Sequence, residues 1–332
     1  MNDATRRYPA LGPATGDSAL IENIETRART AGVRDRLSVV LIEGTVRHDA
    51  HFGAGPATEY EVGSLTKTMT SLLFAEAVDD GTLRADATVG SFLDLGRSAV
   101  ADITLEELAG HRSGLPRIAS GARYRLDTLV AVLRHRNPYT ADLPDLIEHA
   151  KKAKLGCRGS FSYSNLGAAL LGQALAAHAG IEYPGLLARD LFARLDMTQS
   201  TAPVTTDHLS PNAPTGWSAH GKAERPWTMG SYAPAGGVRS TPDDMARYAR
   251  ALLDGTAPGL TALKPRWETD GASRVGYAWF TDHIGGVDIT WHNGATGGFS
   301  CMLALDLAHA AAAIVLANTA VPLDGIAMDL LT

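Results

Sequence analysis

The stretch Cys301-Met-Leu-Ala-Leu-Asp306-Leu-Ala-His309-Ala-Ala-Ala-Ala-Ile-Val-Leu-Ala317-Asn-Thr-Ala-Val321 decides the fold. It is the longest apolar run in the chain, and at ~20 residues it has the length of a membrane-crossing helix. Asp306 and His309 interrupt it near the middle. Two antiparallel strands joined near Asp306–His309 fit the pattern better. Upstream of it the chain predicts further strands at 275–281 and 287–292, then 299–305 and 311–317 from the run itself, followed by a short final helix.

The opposite end of the chain reads the same way. Leu20, Ile21, Ile24 and Ala28 recur at helical spacing over 17–32, and Gly32 stops the run. The β-branched run Leu37-Ser-Val-Val-Leu-Ile42 and a second strand at 45–52 follow. Helices are expected from Gly63-Ser64 to about Asp80, over 103–110 with a threonine cap, over 165–179 and 184–195, and over 241–254 with Thr241 as cap and Pro242 at the first position. Residues 117–157 and 200–232 carry no readable pattern. The fold expected is of the α/β (α+β) class: an antiparallel sheet built from both termini, flanked by helices, with an inserted helical lobe. The sheet domain is placed at 16–80 and 240–332 and the mostly helical lobe at 81–239. Residues 1–15, with Pro9, Gly12 and Pro13, are expected to form a loose arm.

Composition narrows the function. The 332 residues suffice for one large domain or two lobes sharing a core. Net charge is −6, and the one basic cluster, Lys151, Lys152 and Lys154, lacks interleaved aromatics, so no nucleic-acid partner is expected. The two cysteines, Cys157 and Cys301, make neither a disulfide framework nor a CxxC pair. The first twenty residues hold arginines but no apolar run after them, so no signal peptide is read, and a cytoplasmic enzyme without a membrane segment is expected.

Three short motifs carry chemistry. Ser64-Leu-Thr-Lys67 places a hydroxyl and an amine three residues apart, on one face of a helix. At a helix N-terminus unpaired N–H groups favour an alkoxide and a developing oxyanion. Lys67 is the only ionisable residue between Val62 and Phe74, which suits a buried lysine whose pKa falls toward that of a usable base. Tyr163-Ser-Asn165 sits before a helix; residues i and i+2 of an extended segment project to one side, so a phenol and an amide would point together. Trp291-His292-Asn-Gly294-Ala295 lies on an expected strand, where Gly294 admits close backbone approach and His292 would carry a proton or bind a carboxylate. Each motif alone has a simpler reading: an N-cap serine with a surface lysine, a loop tyrosine with Asn165 as helix cap, and a structural histidine beside a turn. His48 and His51 are read as surface strand residues rather than metal ligands, and His111 as structural.

Together, in the order S-x-x-K, Y-x-N, H-x-G, the motifs resemble those of the penicillin-recognising serine enzymes, nearest the branch of class C β-lactamases, DD-peptidases, D-aminopeptidases and β-lactamase-fold esterases. Ile103-Thr-Leu-Glu-Glu-Leu-Ala-Gly-His-Arg-Ser-Gly-Leu-Pro116 and Ala233-Pro-Ala-Gly-Gly-Val-Arg-Ser-Thr241 resemble two further stretches of that family, and Gly297-Gly-Phe-Ser300 follows the third motif as the family leads one to expect. The resemblance covers about Ala31 to Thr319. It implies a β-lactamase/transpeptidase-like fold with Ser64 acylated, Lys67 and Tyr163 sharing the general-base role, Asn165, His292 and Gly294 meeting substrate, and the N–H groups of Ser64 and Ala295 forming an oxyanion hole. It implies no cofactor and no metal. The third motif departs from the family pattern, with His292 in place of lysine and Asn293 in place of threonine. A neutral imidazole holds a carboxylate weakly, which argues against efficient penicillin hydrolysis. The expectation is a serine hydrolase cleaving an ester or amide of a small molecule (a carboxylesterase or amidase with weak β-lactamase activity at most), with a transacylase serving an amine or alcohol acceptor and a non-catalytic binding module as alternatives. The oligomeric state is left open.

Overall fold

A computed structural model describes residues 9–119, 122–210 and 213–332. The apolar run at 301–321 is a β-hairpin. Ser300–Asp306 and Ala311–Ala317 pair antiparallel with Asp306 opposite Ala311. The turn forms because Asp306 closes it: its carboxylate accepts the Ala308 and His309 backbone N–H groups at 3.1 Å and meets His309 Nδ1 at 2.7 Å. Among the described residues no helix is long and apolar enough to cross a membrane.

This hairpin sits at the centre of a nine-stranded antiparallel sheet. The strands run, edge to edge, Ala14–Gly16, Val46–Phe52, Leu37–Glu43, Ala311–Ala317, Ser300–Asp306, Val287–Ala295, Phe280–Ile284, Arg274–Val275 and Trp267–Glu268. Successive side chains point to opposite faces, so each central strand feeds two cores. Val40, Cys301, Leu303, Ile314 and Leu316 join the core beneath the helix Thr66–Asp79. Val39, Met302, Ala304, Ala313 and Val315 join a second core under the helices Ser18–Thr30 and Asp324–Asp329. Thr66 to Ala75 are all buried, so the helix that follows Ser64 is enclosed on every side rather than amphipathic.

Several sequence expectations are corrected. Of the arm expected over 1–15, residues 1–8 lie outside the described residues, and the rest is tied down. Leu11 is buried and bridges to Asp35, and Ala14–Gly16 pairs with Val46–Phe52, whose outer edge would otherwise present unpaired backbone groups. The strand expected at 275–281 is broken by a turn at Gly276–Trp279, where Gly276 N–H donates to Trp279 O at 2.8 Å and Ala278 has φ 61°. The helix expected at 184–195 is α-helical over Tyr183–Leu187 and widens to a π-helical segment over Ala188–Phe192. The patternless stretch 117–157 contains two helices, Ala122–Leu133 and Leu143–Lys151. His51 is not a surface residue; it is buried, with Nδ1 3.0 Å from Ser38 Oγ.

Candidate active site

Ser64 is delivered by a tight backbone crossing. Tyr60–Glu61 pairs with Arg239–Ser240, and Val62 N–H continues the ladder to Val238 O at 3.0 Å. Gly63 then takes φ 49° and runs against the end of the strand Val287–Ala295. A Cβ there would stand 2.7 Å from Ala295 N and 2.8 Å from Ala295 O. Only glycine combines that left-handed conformation with that contact. Ser64 lies in the one-turn 3₁₀ segment Gly63–Leu65, half-exposed, just ahead of the helix Thr66–Asp79.

One helical turn on, Lys67 is 2% exposed and its Nζ lies 2.8 Å from Ser64 Oγ, while an N–H donates to Ala235 O at 2.5 Å. No carboxylate pairs with Lys67 among the described residues. Burial, and secondarily the Arg117 charge, holds its pKa well below the usual lysine range. The segment that supplies Ala235 O is pinned to the same helix: Val238 N–H donates to Thr66 Oγ1 at 3.1 Å.

Tyr163 reaches the site from the other side. Ser162 N–H donates to His111 O at 2.7 Å, Ser164 N–H donates to His111 Nδ1 at 3.3 Å, and the His111 ring lies 4.5 Å from that of Tyr163. His111 therefore has the structural role expected of it. Lys67 Nζ is 5.0 Å from the Tyr163 ring centroid. Burial pushes the Tyr163 phenol up to about 12, an effect opposed by its hydrogen bond with Ser64 and by the Arg117 charge.

The remaining sequence-predicted residues divide. Gly294 and Ala295 line, with Ser64 and Tyr163, a cavity of about 510 Å³. Asn165 starts the helix Asn165–Ala179 but is not its cap; Ser164 is, its Oγ accepting from Gly167 N–H at 2.9 Å. Asn165 is buried, with Nδ2 donating to Tyr139 Oη at 2.9 Å and, among the described residues, no partner for Oδ1. His292 is a correction to the expectation that it meets a substrate carboxylate. On the strand Val287–Ala295 it points inward, is 1% exposed, and lies 5.6 Å from the Phe280 ring and 6.3 Å from the Tyr163 ring. Its Nδ1 is bonded to Asn293 O, and burial, with Lys67 adding to it, lowers its pKa to about 3. It is neutral and turned away from the cavity. Strand alternation instead presents Trp291 and Asn293 to the cavity, and Asn293 Nδ2 donates to Asp324 Oδ1 at 2.8 Å.

Sequence reasoning missed Arg117 and Asp324, which both line the cavity. Arg117 directly follows the Ser-Gly-Leu-Pro turn, and that adjacency was the available signal.

Solved structures with this architecture include a class C beta-lactamase, which superposes with a TM-score of 0.80 at 19% identity over 94% of both chains. A beta-lactamase/D-alanine carboxypeptidase from Pseudomonas syringae superposes with a TM-score of 0.77 at 18% identity, over 92% of this chain and 95% of that one. The fold is that of the class C beta-lactamases. Residues 20–331 match the Beta-lactamase family, and the chain belongs to it. In sequence it is 29% identical over 197 residues to the D-alanyl-D-alanine-carboxypeptidase/endopeptidase AmpH of Escherichia coli (strain K12), covering 58% of this chain and 48% of that protein. It is 28% identical over 198 residues to a beta-lactamase of Psychrobacter immobilis, covering 59% and 45%. The matched part of the chain thus spans about half the length of these curated relatives.

Proposed function

We propose that this protein is a serine hydrolase that cleaves small-molecule esters, or amides, through an acyl-enzyme on Ser64. The observation that carries the reading is the 2.8 Å approach of Lys67 Nζ to Ser64 Oγ in a buried setting with no carboxylate partner among the described residues. Burial lowers the pKa of a lysine so placed, and in its neutral form the amine takes the hydroxyl proton as Oγ bonds to the carbonyl carbon. The backbone N–H groups of Ser64 and Ala295, brought together by the Gly63 and Gly294 contacts, receive the oxyanion. Tyr163, held protonated by burial, gives its proton to the departing alkoxide or amine and recovers one from the Lys67 ammonium. Water then attacks the ester carbonyl of the acyl-enzyme by the reverse relay, releasing the acid and returning the proton to Ser64 Oγ.

The neutral, inward-turned His292 leaves the third motif itself without a cation, so a carboxylate would have to be met elsewhere in the cavity. The same acyl-enzyme serves a transacylase if an amine or alcohol outcompetes water. The test is a panel of p-nitrophenyl esters, nitrocefin and D-alanyl peptides, read for rate and for adduct mass, with and without added amine. A fluorophosphonate is expected to add its mass to Ser64 and to leave Ser64→Ala unlabelled. Unchanged turnover in Ser64→Ala refutes the assignment, and products partitioning to amine rather than water would make transfer the function.

A further inference from the structure

We propose that Arg117 makes the cavity selective for substrates bearing a free carboxylate; this rests on the acyl-enzyme reading and names its substrate class. Arg117 lines the cavity beside Ser64 and Tyr163, is exposed, and holds its guanidinium carbon 5.3 Å from the Tyr163 ring centroid. Its backbone is fixed at the start of the helix Asn165–Ala179, where Arg117 O accepts from Asn165 N–H at 2.9 Å and Leu166 N–H at 3.4 Å. Its side chain has no acceptor: among the described residues no carboxylate or carbonyl pairs with the guanidinium. Neighbouring arginines differ. Arg112 Nε donates to Gly159 O at 2.8 Å, and Arg158 is forked onto Glu107 at 2.6 Å.

The other basic side chains near Ser64 are unavailable to a ligand. Lys67 is enclosed and engaged by Ser64 and Ala235, and His292 is neutral and faces inward. Asp324, the carboxylate of the same cavity, forms no ion pair with Arg117 and instead takes the Asn293 amide. A planar guanidinium left open in a recessed cavity fits a carboxylate through two parallel N–H···O bonds. Asp324 repels an anion, so the substrate carboxylate is confined to the Arg117 side. An open cation also opposes protonation of Lys67, a cost that a bound carboxylate would cancel.

The experiment compares the wild-type enzyme with Arg117→Gln and Arg117→Lys. Two substrate pairs are used: the p-nitrophenyl monoester of glutaric acid against its neutral amide, and a D-alanyl peptide with a free against an amidated C-terminus. Hydrogen bonds to charged groups are worth ~1.5–3 kcal/mol, so kcat/KM is expected to favour the free carboxylate at least about tenfold in one pair. That ratio should collapse to about one in Arg117→Gln, through KM, and be largely kept in Arg117→Lys; the responding pair tells which part of the substrate bears the anion. A wild-type ratio near one in both pairs, or a ratio unchanged in Arg117→Gln, overturns the proposal. Two further readings need no turnover. A neutral fluorophosphonate reports on Ser64, and glutarate is expected to raise the Tm of wild type but not of Arg117→Gln. Labelling without the glutarate shift sinks the Arg117 assignment alone; the shift without labelling sinks the acyl-enzyme reading alone.

Discussion

The backbone of Gly294 is pressed against that of Ser64: a Cβ on Gly294 would stand 3.0 Å from the Ser64 nitrogen, 2.6 Å from Cys301 Sγ and 2.0 Å from the Val62 carbonyl oxygen. The last of these is backbone, which cannot move aside without shifting the turn that carries Ser64. Gly294→Ala is therefore expected to lose roughly 1–3 kcal/mol of stability by overpacking and to lose Ser64 labelling as well. Gly325→Ala is the control. It lies in the helix Asp324–Asp329 with nothing near its missing Cβ, so helix propensity makes it neutral or slightly stabilising. Thermal melts and fluorophosphonate labelling check both variants; an unperturbed Gly294→Ala would mean the two backbones are not in contact.

The Lys67 assignment has a pH signature. An amine is a base only when unprotonated, so acylation by a neutral ester should rise with pH through the Lys67 pKa and then level off. That pKa lies well below the ordinary lysine value of 10.5 because the side chain is buried, so the rise comes correspondingly earlier. No falling limb is expected from Tyr163 below its pKa of about 12. Lys67→Gln should abolish the rising limb and cost ~10²–10⁴ in acylation, read by stopped-flow on the p-nitrophenyl ester. A loss below about tenfold, short of that range, would take Lys67 out of the mechanism.

The sheet was legible because its signals are local. Asp306 and His309 mark the turn of the central hairpin in the sequence itself, and the structure puts Asp306 in that turn as hydrogen-bond acceptor. Thr241-Pro242 and the spacing around Leu20 and Ile24 likewise needed no tertiary knowledge. What failed depended on contacts distant in sequence. Leu11 is ordered only because Asp35 and the edge of Val46–Phe52 lie beside it. The two strands at 274–284 are separated by a turn whose Ala278 N–H is taken by Ala109 O at 2.9 Å, 169 residues earlier in the chain. At the site, motif spacing anticipated the approach of Lys67 Nζ to Ser64 Oγ, since both lie on one short local segment. It misjudged His292, because strand alternation gives its face to the protein interior and Asn293 to the cavity, and nothing in H-x-G says which face is which.

Three residues before Ser64, Glu61 takes part in a buried ion pair whose loss should be severe. Arg239 is 1% exposed and donates to Glu61 Oε1 at 2.8 Å and to Glu59 Oε1 at 2.6 Å, and Glu61 also accepts Trp227 N–H at 2.9 Å. Arg239→Met leaves Glu61 buried without its cation, which typically costs ~3–5 kcal/mol. The deficit should depend on pH. Burial already raises the Glu61 pKa above 4.5 against the pull of Arg239, and removing that pull raises it further. A carboxyl whose folded pKa is raised binds more protons folded than unfolded, so its contribution is fully present below about pH 4.5 and is lost as pH rises through the folded value. The Arg239→Met deficit is thus expected to narrow on acidification toward pH 4.5 and widen above it. Denaturant melts across that window check the trend; a deficit independent of pH would mean water reaches Glu61.

His292 provides the sharpest check on how the site departs from the lysine-bearing pattern of its family. An exposed imidazole titrates near 6.5, and a protonated one in the third motif would give acylation an inflection there. Burial and Lys67 hold His292 at about 3, so it is neutral at every pH at which the enzyme would be assayed. His292→Gln, which keeps a neutral polar group in the same inward position, should then change the plateau rate while leaving the rising limb where it is, because that limb belongs to Lys67. The pH–rate profiles of wild type and His292→Gln on one neutral ester decide the matter: an inflection near 6.5 that disappears in the variant would show that the imidazole takes up a proton, and would restore it as the anion partner that its placement denies.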